Sequence, residues 1–156
     1  DYRVSNLSLM RDMIEYCRTM TIQEILAIPD VKERVARYFA QEQLYEEMIK
    51  THSRVEANVL IIDLRNLEEI LSGNRFIEYA LFPKQNVSVR VIWGWQKQNI
   101  VFTVGHSITN RTCQTNIGSL MLKYGGGGHE KVGTCQAPAM EAERVYNEML
   151  QQLVFP

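Results

Sequence analysis

Four glycines and a histidine, Gly125-Gly126-Gly127-Gly128-His129, end an apolar stretch of Ile117, Leu120, Met121, Leu122 and Tyr124. Glycine has no Cβ, so its backbone can reach positive φ and approach a ligand closely, and successive N–H groups can converge on an anion such as phosphate. A histidine placed there is a neutral donor or a cation around neutral pH and is suited to contact a phosphate or to act as a general acid. The competing reading of four glycines is a flexible linker, although linkers usually carry serines and polar flanks. A second polar segment, Gly105-His106-Ser107-Ile108-Thr109-Asn110-Arg111-Thr112, follows an alternating apolar run. Arg111 has the planar fork that suits phosphate, and Ser107, Thr109 and Thr112 add hydroxyls. The alternative for this segment is a solvated surface loop. His106 stands at a predicted strand end, and His52 ends a predicted helix, where positive charge favours the macrodipole.

The chain supplies little else for catalysis. Its four aspartates, Asp1, Asp12, Asp30 and Asp63, are scattered and form no carboxylate and histidine cluster for metal-assisted hydrolysis. No Cys or Ser nucleophile stands at a recognised spacing from a histidine, and there is no Walker sequence and no Gly-x-Gly-x-x-Gly at a strand end. No structural metal is expected. With 17 Lys+Arg against 18 Asp+Glu the chain has no overall basic field, so any nucleic-acid contact must be local. The odd, widely spaced Cys17, Cys113 and Cys135 fit reduced thiols better than a disulfide framework. No apolar run approaches the roughly 20 residues of a membrane span, and no signal peptide opens the chain, so the expectation is a cytoplasmic protein without membrane contact. The start at Asp1 reads as a fragment of something longer.

The elements that would hold these residues are legible from periodicity. Helical spacing predicts a helix over 5–20, a short one behind the capping pair Thr21 and Glu24, and, behind a second signal at Asp30 and Glu33, a long helix over 31–52. Residues 58–64 read as a strand buried on both faces and 74–82 as a helix closed before Pro83. Val87, Val89, Val91, Trp93 and Trp95, a polar turn at 96–99, and Ile100, Phe102 and Val104 predict an antiparallel hairpin with both tryptophans on one face against helices. A helix over 116–124, a strand over 132–136 and an amphipathic helix after Pro138 complete an α/β fold. It has a mixed β-sheet and an antiparallel hairpin flanked by helices, preceded by an N-terminal helical segment.

The Gly125 to His129 run, with the hairpin before it and the helix after it, resembles the DHH-associated domain of the DHH phosphoesterase superfamily. That superfamily includes exopolyphosphatases, oligoribonucleases and cyclic-dinucleotide phosphodiesterases. The resemblance covers roughly residues 57 to 156, and the chain departs from the family where Val132, Gly133 and Thr134 replace two alanines and a glycine. It implies a helical linker over 1–53 leading from an absent catalytic domain, and a substrate-binding domain over 54–156. It also implies substrate contacts from Ser107, Arg111, Gly125, Gly126, Gly127, Gly128 and His129, with Mn2+ and the catalytic residues in the absent domain. This chain alone would then be inactive. Its partners would be that catalytic domain, a short oligonucleotide, nucleotide or polyphosphate, and a second copy in a homodimer. The alternative is a noncatalytic RNA- or tRNA-binding module.

Overall fold

The computed structural model describes residues 2–154, so Asp1, Phe155 and Pro156 lie outside the described residues. The chain divides into two compact units, Asp1–Gln43 and Leu44–Pro156.

The first unit is helical. Ser5 caps α1 (Asn6–Thr19) by accepting from the Ser8 N–H, and Thr21 and Glu24 form a reciprocal capping box at α2 (Ile22–Ala27). Leu9, Ile25 and Val31 make its core, with Met13, Tyr16, Ile28 and Val35 packed around them. The second predicted cap is not used. α3 (Pro29–Ala40) starts with Pro29 in its first turn and has no side-chain cap, while Asp30 is buried and ion-paired with Arg3. The long helix expected over 31–52 is two helices, because the Gln41 N–H bonds back to the carbonyls of both Arg37 and Tyr38 and ends α3 in a tighter turn. No glycine or proline marks that point, so periodicity ran straight through it.

α4 (Glu42–Thr51) leads into the second unit, a six-stranded sheet. Its strands are β1 (Ser53–Glu56), β2 (Val59–Asp63), β3 (Val87–Trp93), β4 (Asn99–His106), β5 (Gly127–His129) and β6 (Val132–Pro138), in the order β1-β2-β3-β4-β6-β5. β2 and β3 are parallel and the other pairs antiparallel, which makes the sheet mixed as predicted. β1 was not foreseen. It returns onto β2 through Ala57, whose φ of 51° lies in the left-handed region. β2 is buried on both faces. Val59 and Ile61 join the core under α6 (Ile117–Leu122) and α7 (Ala142–Leu153), and Leu60, Ile62 and Leu64 join Tyr45, Met48 and Ile49 of α4. Each such side chain contributes about 1.5–3 kcal/mol on burial.

Two local expectations are corrected. Only Ile77–Leu81 (α5) is helical within 74–82, since the Asn74 side chain accepts from the Phe76 N–H and holds the preceding residues in a turn. The tryptophans do not share a strand face. Trp93 is half-buried and donates its indole N–H to the Arg65 carbonyl, whereas Trp95 sits beyond Gly94 in a short 3-10 turn and is 79% exposed. The pairing of Gly94 N–H with Asn99 C=O closes the ladder before Trp95 can enter it. Among the described residues no helix is long and apolar enough to cross a membrane.

Cys113 and Cys135 are buried and Cys17 is exposed, with no disulfide among them; burial pushes the Cys135 thiol up to about 11. A thiol reagent at mildly alkaline pH is therefore expected to modify Cys17 in the native protein and the other two only after unfolding. Rapid native-state modification of Cys135, read by peptide mass spectrometry, would contradict this packing.

Candidate functional site

The glycine run is ordered and each position does something different. Gly125 takes φ +73° just past α6, and its N–H and that of Gly126 bond to the carbonyls of Leu122 and Met121, a Schellman ending for the helix. Those two amides are thus engaged by the protein. Gly126 and Gly128 lie backbone against backbone on β6: a Cβ on either would come within 2.2 Å of a carbonyl oxygen, that of Thr134 or Val132. Gly118 of α6 also approaches the Gly128 backbone, with 2.9 Å between a hypothetical Cβ and the Gly128 oxygen. Gly127 faces open space, with nothing within 4 Å of a Cβ; the same is true of Gly125, but there the positive φ disfavours a side chain. The run is therefore an edge strand packed on a helix, and a flexible linker is the reading that this packing removes.

His129 ends β5 immediately before the two-residue turn Glu130-Lys131, and it is exposed. The turn is fixed from two sides, because Ile117 N–H donates to Glu130 C=O and His106 N–H donates to Lys131 C=O, each at 2.8 Å. The register across four strands, Ser88 to Gly105 to Val132 to His129, places His129 on the same sheet face as Ser88 and Gly105. The opposite face holds the core under α6 and α7, with Ile100, Phe102, Val104 and Cys135.

The structure does not join Ser107 and Arg111 to His129 by any contact among the described residues. Ser107 is 3% exposed, and its hydroxyl oxygen accepts from the N–H groups of Thr109 and Asn110, so it builds the loop from within. Arg111 is exposed and its Nε donates to Ile108 C=O at 3.1 Å. The loop is fastened to the β3 side of the sheet: Asn110 donates to Lys84 C=O, Asn86 to the Thr112 hydroxyl, and the Thr109 hydroxyl to Tyr79 C=O. His106 and His52 each hydrogen-bond a backbone carbonyl, of Thr115 and Met48 respectively, and serve local structure.

A polar network on the His129 face escaped the sequence reading. Arg90 Nη2 pairs with Glu78 at 2.5 Å and donates to the Tyr45 hydroxyl at 3.3 Å; the Ser88 hydroxyl donates to Glu78 at 2.7 Å and lies 3.1 Å from the Tyr79 hydroxyl. Burial opposes the Arg90 charge, but Glu78 and Tyr45 outweigh it and hold the guanidinium pKa above its usual value. Burial likewise raises the Tyr79 hydroxyl. Ser88 and Arg90 alternate with Val87, Val89 and Val91, and that period-two polarity was the available signal. For Mn2+ the residues do not fit: among the described residues no three His, Cys, Asp or Glu side chains come together.

Over 98% of its length the chain is similar to the pGpG-specific phosphodiesterase PggH from Vibrio cholerae, at 49% identity and a TM-score of 0.84, and it spans 52% of that protein. A DHH domain protein described as a member of a family of ribosomal proteins matches 93% of the chain at 15% identity, with 37% of its own length covered and a TM-score of 0.64. An exopolyphosphatase-related protein from Bacteroides fragilis matches 94% at 14% identity, with 43% covered and a TM-score of 0.53. The last two show the fold alone. No family profile and no curated protein matches the chain.

The packing separates the glycines experimentally. Gly128→Ala and Gly126→Ala force backbone apart and are expected to lower stability by about 1–3 kcal/mol or more, whereas Gly127→Ala, in open space, should cost under about 1 kcal/mol. Urea melts of the three variants check the order, and equal losses would refute it.

Proposed function

We propose that this chain is the substrate-binding half of a DHH-type phosphodiesterase that cleaves a short dinucleotide of the pGpG kind. The observation that carries the reading is the 49% identity to PggH across nearly the whole chain, combined with coverage of only about half of that protein. The geometry agrees with such a role. His129 stands on a rigid, braced strand tip beside an open sheet face, as a phosphate-contacting group must if it is to be held in position while substrate arrives. Gly127 leaves room for close approach next to it. Arg111, exposed on its loop, is the further phosphate contact that the family resemblance implies.

In this reading Mn2+ and the groups that activate water belong to a catalytic half outside this chain, and the chain by itself binds without turning over substrate. Two or three charge-assisted hydrogen bonds, at roughly 1.5–3 kcal/mol each, barely offset an association cost of roughly 4–15 kcal/mol, so the isolated half should bind a nucleotide weakly. A general RNA-binding role is less well supported, because Lys and Arg are balanced by Asp and Glu across the chain.

The test is hydrolysis of pGpG to GMP by the full-length protein with Mn2+. His129→Ala is expected to reduce kcat/KM by about 10²-fold while the melting temperature stays within error of wild type, since the side chain is exposed. Failure of the full-length protein to cleave pGpG, or full activity in His129→Ala, would overturn the reading.

A further inference from the structure

α4 and α5 pack on the sheet face at β2 and β3, where Leu60, Ile62, Leu64 and Ile92 meet Tyr45, Met48, Ile49, Ile77 and Leu81. On the same face β4 and β6 present Val101, Thr103, Gly105, Val132, Thr134 and Gln136, none of which enters a core cluster. One row of this open half runs Arg90, Thr103, Thr134, Gly127 in direct register across β3, β4, β6 and β5. The two threonine hydroxyls lie 3.5 Å apart, and the row ends in the open space at Gly127, two residues from His129.

Arg90 is the unusual member of the row. Its Nη2 is occupied by Glu78 and Tyr45, while Nε and Nη1 have no partner among the described residues. Its side chain is only 18% exposed, and the carboxylate that pins it is itself buried and held by Ser88. An arginine has five N–H donors in a fixed fork, and here one prong is locked into the protein while the others are left for something else. Because Glu78 neutralises the charge as a whole, Arg90 offers directed donors on a fixed frame rather than net positive potential. That favours a ligand with acceptor oxygens at a set place, which is what a phosphate provides.

We propose that Arg90, with Thr103 and Thr134 beside it, forms a second phosphate subsite that takes the phosphate of the dinucleotide not being cleaved. This inference rests on the phosphodiesterase reading above, in which the cleaved phosphate lies at His129. Three strand spacings separate Arg90 from Gly127, roughly 14 Å between Cα atoms. A single phosphate, whose oxygens accept hydrogen bonds over about 3 Å, cannot touch both ends. A chain with a 5′-phosphate and an internal diester has two phosphates to distribute along the row. The subsite would therefore select for length: it adds affinity for a 5′-phosphorylated dinucleotide and none for a diester carrying one phosphate.

The experiment compares, in the full-length protein with Mn2+, kcat/KM for pGpG with kcat/KM for the p-nitrophenyl ester of thymidine 5′-monophosphate, which has a single phosphate. Arg90→Lys keeps a cation against Glu78 but loses the fork, and should lower the preference for pGpG over the ester by about tenfold or more, chiefly through KM. The double variant Thr103→Val and Thr134→Val keeps shape and strand propensity and should lower the preference in the same direction by a smaller factor. A structural lesion alone depresses both substrates together, and an unchanged ratio in both variants would overturn the subsite. Should Arg90→Lys fail to fold, the double variant decides alone, an unchanged ratio again counting against the proposal. If the wild-type protein cleaves neither substrate, the phosphodiesterase reading falls and the subsite with it; if it cleaves both without preferring pGpG, only the subsite falls.

Discussion

Backbone touches backbone where α6, β5 and β6 meet, and Gly118, Gly126, Gly128 and Gly133 make that contact. Glycine within a strand costs roughly 0.5–1 kcal/mol of conformational entropy relative to alanine, so several together would weaken an ordinary hairpin. Here they allow a helix and two strands to approach more closely than any Cβ permits, bringing Ile117 and Met121 against Gly133. That closeness lets the Ile117 N–H reach the Glu130 carbonyl. The position of His129 follows from that packing: its strand is held from the side by α6 and at the turn by His106 and Ile117. A side chain carried this way is held in place before anything binds to it.

The other face of the sheet is organised by a buried charge. Glu78 and Arg90 are removed from most of the solvent, and a buried ion pair by itself is weak evidence for stability because desolvation opposes its attraction. What the pair does is fix orientation. Ser88 and Tyr79 complete the hydrogen bonding around Glu78, Tyr45 braces the guanidinium, and Gly105 leaves room for the Tyr79 hydroxyl, 3.0 Å from where its Cβ would stand. α4, α5 and β3 are thereby locked to one another at the border between the covered and open halves of the face. The two constraints are complementary, one shaping the edge strand by removing side chains and the other shaping the floor by satisfying charged ones.

Much of this was legible in the residues. The alternation around Val89 and Phe102, the apolar run at Ile61 and the cap at Asn116 each carry their own structural signal, and each became the predicted element. The break at Gln41 was hidden because nearly helical torsions and an unbroken apolar stripe leave no local mark. β1 was hidden because Arg54 and Glu56 on an edge strand look like loop, and Trp95 was misplaced because period two says nothing about where a ladder stops. The polar segment around Ser107 looked like ligand-binding chemistry in one dimension, yet its hydroxyl turned out to be the acceptor that folds its own loop.

The sequence by itself determined most of the helices and strands and that something special happens at Gly125 to His129, because periodicity and the lack of a Cβ are properties of neighbouring residues. Only the tertiary structure decided what the glycines are for. Whether a missing Cβ makes room for a ligand or for another strand depends on Thr134 and Val132, which the turn at Glu130-Lys131 folds back onto the run, and on Gly118 of α6, which packs on it from the side. The same holds for Arg90. Its neighbours in sequence are valines, whereas Glu78, Tyr45 and Thr103 are brought to it by strand order and helix packing, and these fix both its orientation and the donors it keeps free.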